Sequence, residues 1–355
     1  MNLIIRGRQC WALVLLFLTG WSLTLPAGSR DGWIAILLAA GLTLPILAIG
    51  CFPSDKFDGT FPTVFRRVYG QTGGTLMVWL LCVLAFWGFC MASLSFVVFL
   101  RTVSEEQWPV WLIAAAFLLV VGYVAQGGQG RMALWAEPMV WVVLAALVLS
   151  LALTLPDSDW REILPILEHG WDGIAEQTIY VLTVPFVECW FVAVLLFGQS
   201  ARARQSSLAA VVTGGVLLAW TALRNITVLG QAGAQEVWYP SYTAAGLIEI
   251  GRSFQRGEVL VSGSLLLCSV ARAAVFLCFL ANGLTETIPT LPRRWAIGTA
   301  AAVCFAICVF ALGSTLDFLH AEVFYRMLLL PILLAVIGIT AIGALWRSRQ
   351  TKTDG

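Results

Sequence analysis

Ten apolar runs dominate the chain and decide what it can become. They lie at about 10–30, 32–52, 74–100, 108–126, 134–155, 174–199, 207–230, 257–284, 295–316 and 322–346. Each is close to the roughly 20 residues that a helix needs to cross a bilayer. Only helices and closed barrels satisfy every backbone polar group in lipid, and runs of this length are not barrel strands. Charged residues make up 12% of the 355-residue chain, about half the share of a soluble domain. The expectation is a single all-α integral membrane domain over 1–355, with ten transmembrane helices. The opening segment MNLIIRGRQCWALVLLFLTGWSLTLPAG has signal-peptide features. Its apolar run is long for a cleaved segment and nine more follow, so it reads as span one.

The basic residues sort by side. With the N-terminus in the cytoplasm, thirteen of the twenty-one Lys and Arg residues fall in inside segments, among them Arg6, Arg8, Lys56, Arg66, Arg67, Arg204, Arg293 and Arg349. Outside segments or span ends take Arg30, Arg101, Arg161, Arg224, Arg252, Arg256 and Arg326, while Arg272 lies inside a span. The acid-rich loop DSDWREILPILEHGWDGIAE also falls outside. The positive-inside rule then puts both ends in the cytoplasm, as an even number of crossings requires. A short basic tail over 347–355 reads as a topology signal.

The two halves invite comparison. A short amphipathic stretch, FPTVFRRVYG, follows span two on the inside, and a longer one, YPSYTAAGLIEIGRSF, follows span seven on the outside. An inverted-topology repeat has this form, and the division predicts repeat one over about 8–155 and repeat two over about 172–346. The first spans of the halves are both interrupted. Span one contains FLTGWSLTLPAG with Gly20 and Pro26; span six contains YVLTVPFVECWFV with Pro185. Interruptions at corresponding positions point to a midplane site, because a broken helix turns free N–H groups and carbonyls toward a cavity. A simple kink is the alternative, since Gly and Pro are common in membrane helices.

In order and spacing these segments resemble the B (permease-like) subunit of bacterial spore germinant receptors, in the amino acid–polyamine–organocation superfamily. The resemblance covers most of the chain. It rests on Tyr239 with Pro240, Ile250 with Gly251, Arg272 in span eight, the Pro-Phe-x-Glu of Pro185, Phe186 and Glu188, and LTLPAGSRDGW with Pro26 and Asp31. Two departures stand out: Trp21 occupies a position where a small residue is usual, and Val187 replaces a glycine. The resemblance implies a LeuT-like 5+5 inverted repeat with broken first and sixth helices. It also implies a ligand-sensing role in the spore inner membrane, where a small nutrient, typically an amino acid, triggers germination. The implied partners are a membrane-anchored A subunit, a lipoprotein C subunit and membrane lipid; nothing suggests nucleic acid.

The deep charges are Glu188 and Arg272. An ionised group at the centre of a span costs about 2.5–3.5 kcal/mol, so each needs a cavity or a partner. Two readings stand: a structural buried ion pair, or a Glu188 that takes a ligand ammonium or a proton while Arg272 replaces a bound cation. The expected ligand cavity is lined by Thr19, Gly20, Trp21 and Ser22 of span one, Val184, Pro185, Phe186 and Glu188 of span six, and Ser269 of span eight. Span three would add Phe86, Phe89, Cys90 and Ser93, a single helical face by spacing that also suits helix packing. Backbone N–H groups near Gly20 would hold a carboxylate and carbonyls freed at Pro185 an ammonium. Eight of the nine cysteines lie in apolar spans and read as small core residues, and the two histidines read as loop residues. No cofactor, metal cluster or nucleophile–base pair argues for an enzyme. Two other functions remain open: a secondary amino-acid transporter, or a ligand-independent scaffold for receptor subunits.

Overall fold

A hydrocarbon solvent leaves the backbone little choice but the helix, and the fold obeys. A computed structural model of the chain describes residues 5–20, 30–104, 108–167, 170–198, 202–248, 257–311 and 315–353; among these no strand occurs. Spans one to five are α1 (Gly7–Thr19), α2 (Gly32–Lys56), α3 (Phe61–Val103), α4 (Val110–Gln126) and α5 (Gly128–Thr154). Span six comprises two halves, α6 (Gly170–Val181) and α7 (Trp190–Leu195). Spans seven to ten are α8 (Ala203–Glu236), α10 (Glu258–Thr287), α11 (Arg293–Ala306) and α12 (Thr315–Thr353), with α9 (Pro240–Gly246) a loop helix before span eight. Eight of these spans are long and apolar enough to cross a membrane, and α1 and α4 are shorter apolar helices.

Two boundaries differ from the sequence expectation. The amphipathic FPTVFRRVYG runs straight into span three, separated from it only by Gly70, whose φ of 80° suits a residue without a Cβ. Gly230 breaks α8 in the same manner. The last helix starts at Thr315 rather than near 322, so the exposed His320 is helical and not in a loop. Asp317 in its first turn favours that earlier start by facing the positive end of the helix dipole.

The bundle is built around spans six and eight. Residues Gly170–Leu195 and Glu258–Thr287 are each 89% buried across their apolar windows, against 28% for Arg293–Phe310, which therefore lies at the periphery. Helix α10 packs on α1, α3, α4, α5 and α11. Rings fill the contact: Phe61 stacks on Phe279 at 4.1 Å, and Phe191 meets Phe276 and Phe279 edge-on. Polar contacts tie helices at the end of the bundle that carries the chain's N-terminus. Arg8 pairs with Glu137 and Arg204 with Asp55, while Arg66 donates to the Glu286 carbonyl. The two ion pairs are exposed enough to contribute only about 0–1 kcal/mol each.

Close packing of α10 on α3 depends on a missing side chain. A Cβ on Gly283 would sit 2.3 Å from Cys82 Sγ, whereas one on Gly263 of the same helix would meet nothing within 4 Å. Gly283→Ala is expected to cost about 1–3 kcal/mol through overpacking. Gly263→Ala should be neutral or stabilise by up to about 1 kcal/mol through helix propensity. Thermal unfolding of the two purified variants in detergent checks the contrast, and equal midpoints would refute it.

Candidate functional site

Pro185 has no N–H to give the preceding turn, and the backbone leaves the helix beside it. Val184 takes φ −133° and ψ 121°, and residues 182–189 form a wide turn followed by a tight one. The whole segment is buried, so the groups it exposes face protein and not lipid.

Glu188 follows the break and is fully buried. Its Oε2 accepts from Arg272 Nη2 of α10 at 2.5 Å, and its Oε1 accepts from the Tyr325 hydroxyl of α12 at 2.6 Å. The Arg272 guanidinium also lies over the Phe17 ring, 5.7 Å from its centre. One carboxylate thus joins spans six, eight and ten, with the cation resting on span one. Of the two readings of Glu188, the geometry is that of the ion pair, with a tyrosine as the third member.

The carbonyls at the break also have a partner. Arg326 Nη1 donates to the Tyr180 carbonyl at 2.8 Å and to the Val184 carbonyl at 3.1 Å. Its Nη2 pairs with Glu322 Oε1 at 2.6 Å, and its plane stacks on the Tyr180 ring at 3.8 Å. The sequence places Arg326 in an outside segment or at a span end, yet it is 4% exposed. The signal that would have found it is its i,i+4 spacing from Glu322, which lets the two charges enter a span as one neutral unit.

A small cavity of about 20 Å³, room for about one water molecule, lies against these groups. Arg272, Glu322, Tyr325 and Ser95 form its polar wall, and Met91, Val184 and Phe318 its apolar wall. Of the residues expected at a ligand site, Val184 and Arg272 line it. Glu188 and Pro185 lie behind it, buried in the break. Thr19 bonds to the Leu15 carbonyl at 2.8 Å and contacts Cys268 Sγ at 3.3 Å. A Cβ on Gly20 would lie 3.2 Å from the Cys268 carbonyl, so the end of α1 packs on α10. Phe186 points toward Gly215 of α8. Ser269 is buried on α10 away from the cavity wall.

The expected span-three face turns elsewhere. Cys90 and Ser93 hydrogen-bond with Cys304 of α11, Ser93 also donates to the Phe89 carbonyl, and Phe86 leans on Phe89. It is a packing stripe against span nine, and the cavity takes Met91 and Ser95 from the adjacent face. Trp21, Ser22 and Pro26 lie outside the described residues. Asp31, also drawn from the resemblance, is buried and accepts from the Leu167 N–H with both oxygens, at 3.1 and 3.0 Å. It holds the loop before span six rather than the cavity.

Residues 8–315 match the family model described as spore germination protein. The chain belongs to the spore germination protein family. Spore germination protein XB of Bacillus anthracis is 23% identical over 236 residues, a match spanning 65% of this chain and 65% of that protein, just under two thirds of its length. Among solved structures, MHP1, a nucleobase-cation-symport-1 family transporter, in a closed conformation with bromovinylhydantoin bound, superposes with TM-score 0.70 at 14% identity. That match covers 96% of this chain and 78% of MHP1. The inward-facing conformation of Mhp1 gives 0.62 at 15% identity, covering 94% and 75%. At these identities the likeness is one of fold: this spore germination family member is a ten-helix, LeuT-like membrane protein with a broken sixth span.

Proposed function

We propose that this chain is the ligand-sensing membrane subunit of a spore germinant receptor. It binds a small nutrient, an amino acid in chemical class, near the break in span six and so triggers germination. Its setting is the spore inner membrane with both ends cytoplasmic, a sidedness supported by the distribution of basic residues. Receptor A and C subunits are the partners that would receive the signal.

The observation that carries the reading is the pair of opposite charges facing one cavity at the break: the Arg272 guanidinium and the Glu322 carboxylate. A zwitterion's carboxylate finds a donor on the Arg272 guanidinium, whose Nη2 is committed to Glu188. Its ammonium finds Glu322, whose Oε1 already holds Arg326. Competition for Glu322 would loosen Arg326 from the carbonyls of span six, and that coupling turns occupancy into a shift of the broken helix.

The test is an amino-acid screen by thermal shift on the purified chain. A small neutral amino acid should raise the midpoint saturably, and Glu322→Gln should weaken its binding tenfold or more. Equal binding of the matching carboxylate-free amine would overturn the zwitterion reading. Uptake of the same radiolabelled amino acid into proteoliposomes separates the functions: sensing predicts binding without accumulation, and accumulation would mean a secondary transporter. No shift with any nutrient would leave the scaffold role.

A further inference from the structure

Arg224 of α8 differs from the other arginines of the inner bundle. Arg272 meets Glu188 and Arg326 meets Glu322, at 2.5 and 2.6 Å, so both of those charges are neutralised in place. Arg224 is as buried, at 5% exposure, and lies about a turn and a half before the Gly230 break. Among the described residues no carboxylate bonds to it. Nη1 donates to Ser150 Oγ of α5 at 3.3 Å and Nη2 to the Ser241 carbonyl of α9 at 3.4 Å, both long and both to neutral oxygens. Its Nε is buried without an acceptor. Beside it, Asn225 Nδ2 donates to Ser241 Oγ at 2.9 Å, which leaves the buried Asn225 Oδ1 without a donor.

An unpaired charge in an apolar interior is far costlier than a hydrogen-bonded neutral group, and buried charges are found paired. Around Arg224 the neighbouring groups are hydroxyls and an amide, the donor set that completes the coordination of an anion. A single negative charge would neutralise the guanidinium and occupy its Nε. Rotating the Asn225 amide by half a turn would aim Nδ2 at the same anion. The burial of Arg224 between three elements favours a compact ion over a lipid headgroup, which would have to part α9 from α8.

We propose that Arg224, Asn225, Ser150 and Ser241 form a binding site for a small monovalent anion, of the size and charge of chloride, joining spans five and seven to the loop helix α9. The site is independent of the span-six cavity and of any nutrient.

The full-length purified chain, in detergent at constant ionic strength, is titrated by replacing sodium gluconate with sodium chloride or sodium bromide. The unfolding midpoint should rise saturably with either halide. Arg224→Gln should abolish the rise and be at least as stable as the wild type in gluconate, because the unpaired charge is gone. If Arg224→Gln does not fold, Asn225→Ala and Ser150→Ala must each raise the half-saturating halide concentration threefold or more. Chloride-35 NMR gives the direct reading: wild-type protein should broaden the line, and bromide should reverse the broadening. A flat wild-type titration, or equal responses in wild type and variants, would overturn the site.

Discussion

Glu188→Gln should destabilise the protein by about 3–5 kcal/mol, the cost of stranding one member of a buried ion pair. Glutamine preserves the shape of the side chain and can still accept from Tyr325, so the loss isolates the charge. Arg272, 7% exposed, would lose the carboxylate it bonds, and Glu322, the other carboxylate on the cavity, is already held by Arg326. Arg272→Gln should cost a similar amount for the mirror-image reason. The decisive measurement is the double variant: Glu188→Gln with Arg272→Gln should recover most of either single loss, because replacing both charges removes the need for pairing. Tyr325→Phe should cost about 1.5–3 kcal/mol, one hydrogen bond to a charged acceptor. Reversible unfolding in mixed micelles would measure all four. Additive losses from the two single changes would mean that Glu188 and Arg272 stabilise the bundle separately.

That pair could be read from sequence because lipid makes a lone charge conspicuous. Glu188 and Arg272 stand among Val, Phe, Cys and Ala, and each has to meet something. The ten spans were legible for the same reason, and the break at span six because proline cannot bond the preceding turn. Arg326 escaped because Glu322 one turn earlier made it resemble the polar margin of a span. Only the start of α12 at Thr315 puts it three turns inside the helix. The orientation of span three escaped for a different reason. Helix α3 buries residues on nearly every side, Gly88 to Leu94 without interruption, so periodicity offers no preferred face and spacing alone chose Phe86, Phe89, Cys90 and Ser93. Which of its faces meets the cavity is decided by α10, α11 and α12, whose positions no local pattern encodes.

Arg326→Gln carries the second large effect, and its direction separates two roles for the break. The wild-type guanidinium satisfies two carbonyls of span six and one carboxylate of span ten at once. Removing it should cost roughly 3 kcal/mol, since hydrogen bonds to a charged group contribute about 1.5–3 kcal/mol each and water entering the cavity restores part of the loss. Arg326→Lys should regain less than half: an ammonium keeps the charge but lacks the planar fork that reaches both carbonyls and stacks on Tyr180. Ligand affinity should move the opposite way. With Arg326 gone, Glu322 and the Val184 carbonyl lose their internal cation, and an incoming ammonium no longer has to displace one. On the proposed function, Arg326→Gln is therefore expected to bind a small amino acid about tenfold more tightly, near 1.4 kcal/mol, while spores carrying it no longer germinate in response. Weaker binding with unchanged stability would make Arg326 a ligand contact and end the displacement mechanism. Tighter binding with a normal germination response would show that the signal leaves the site by a route other than span six.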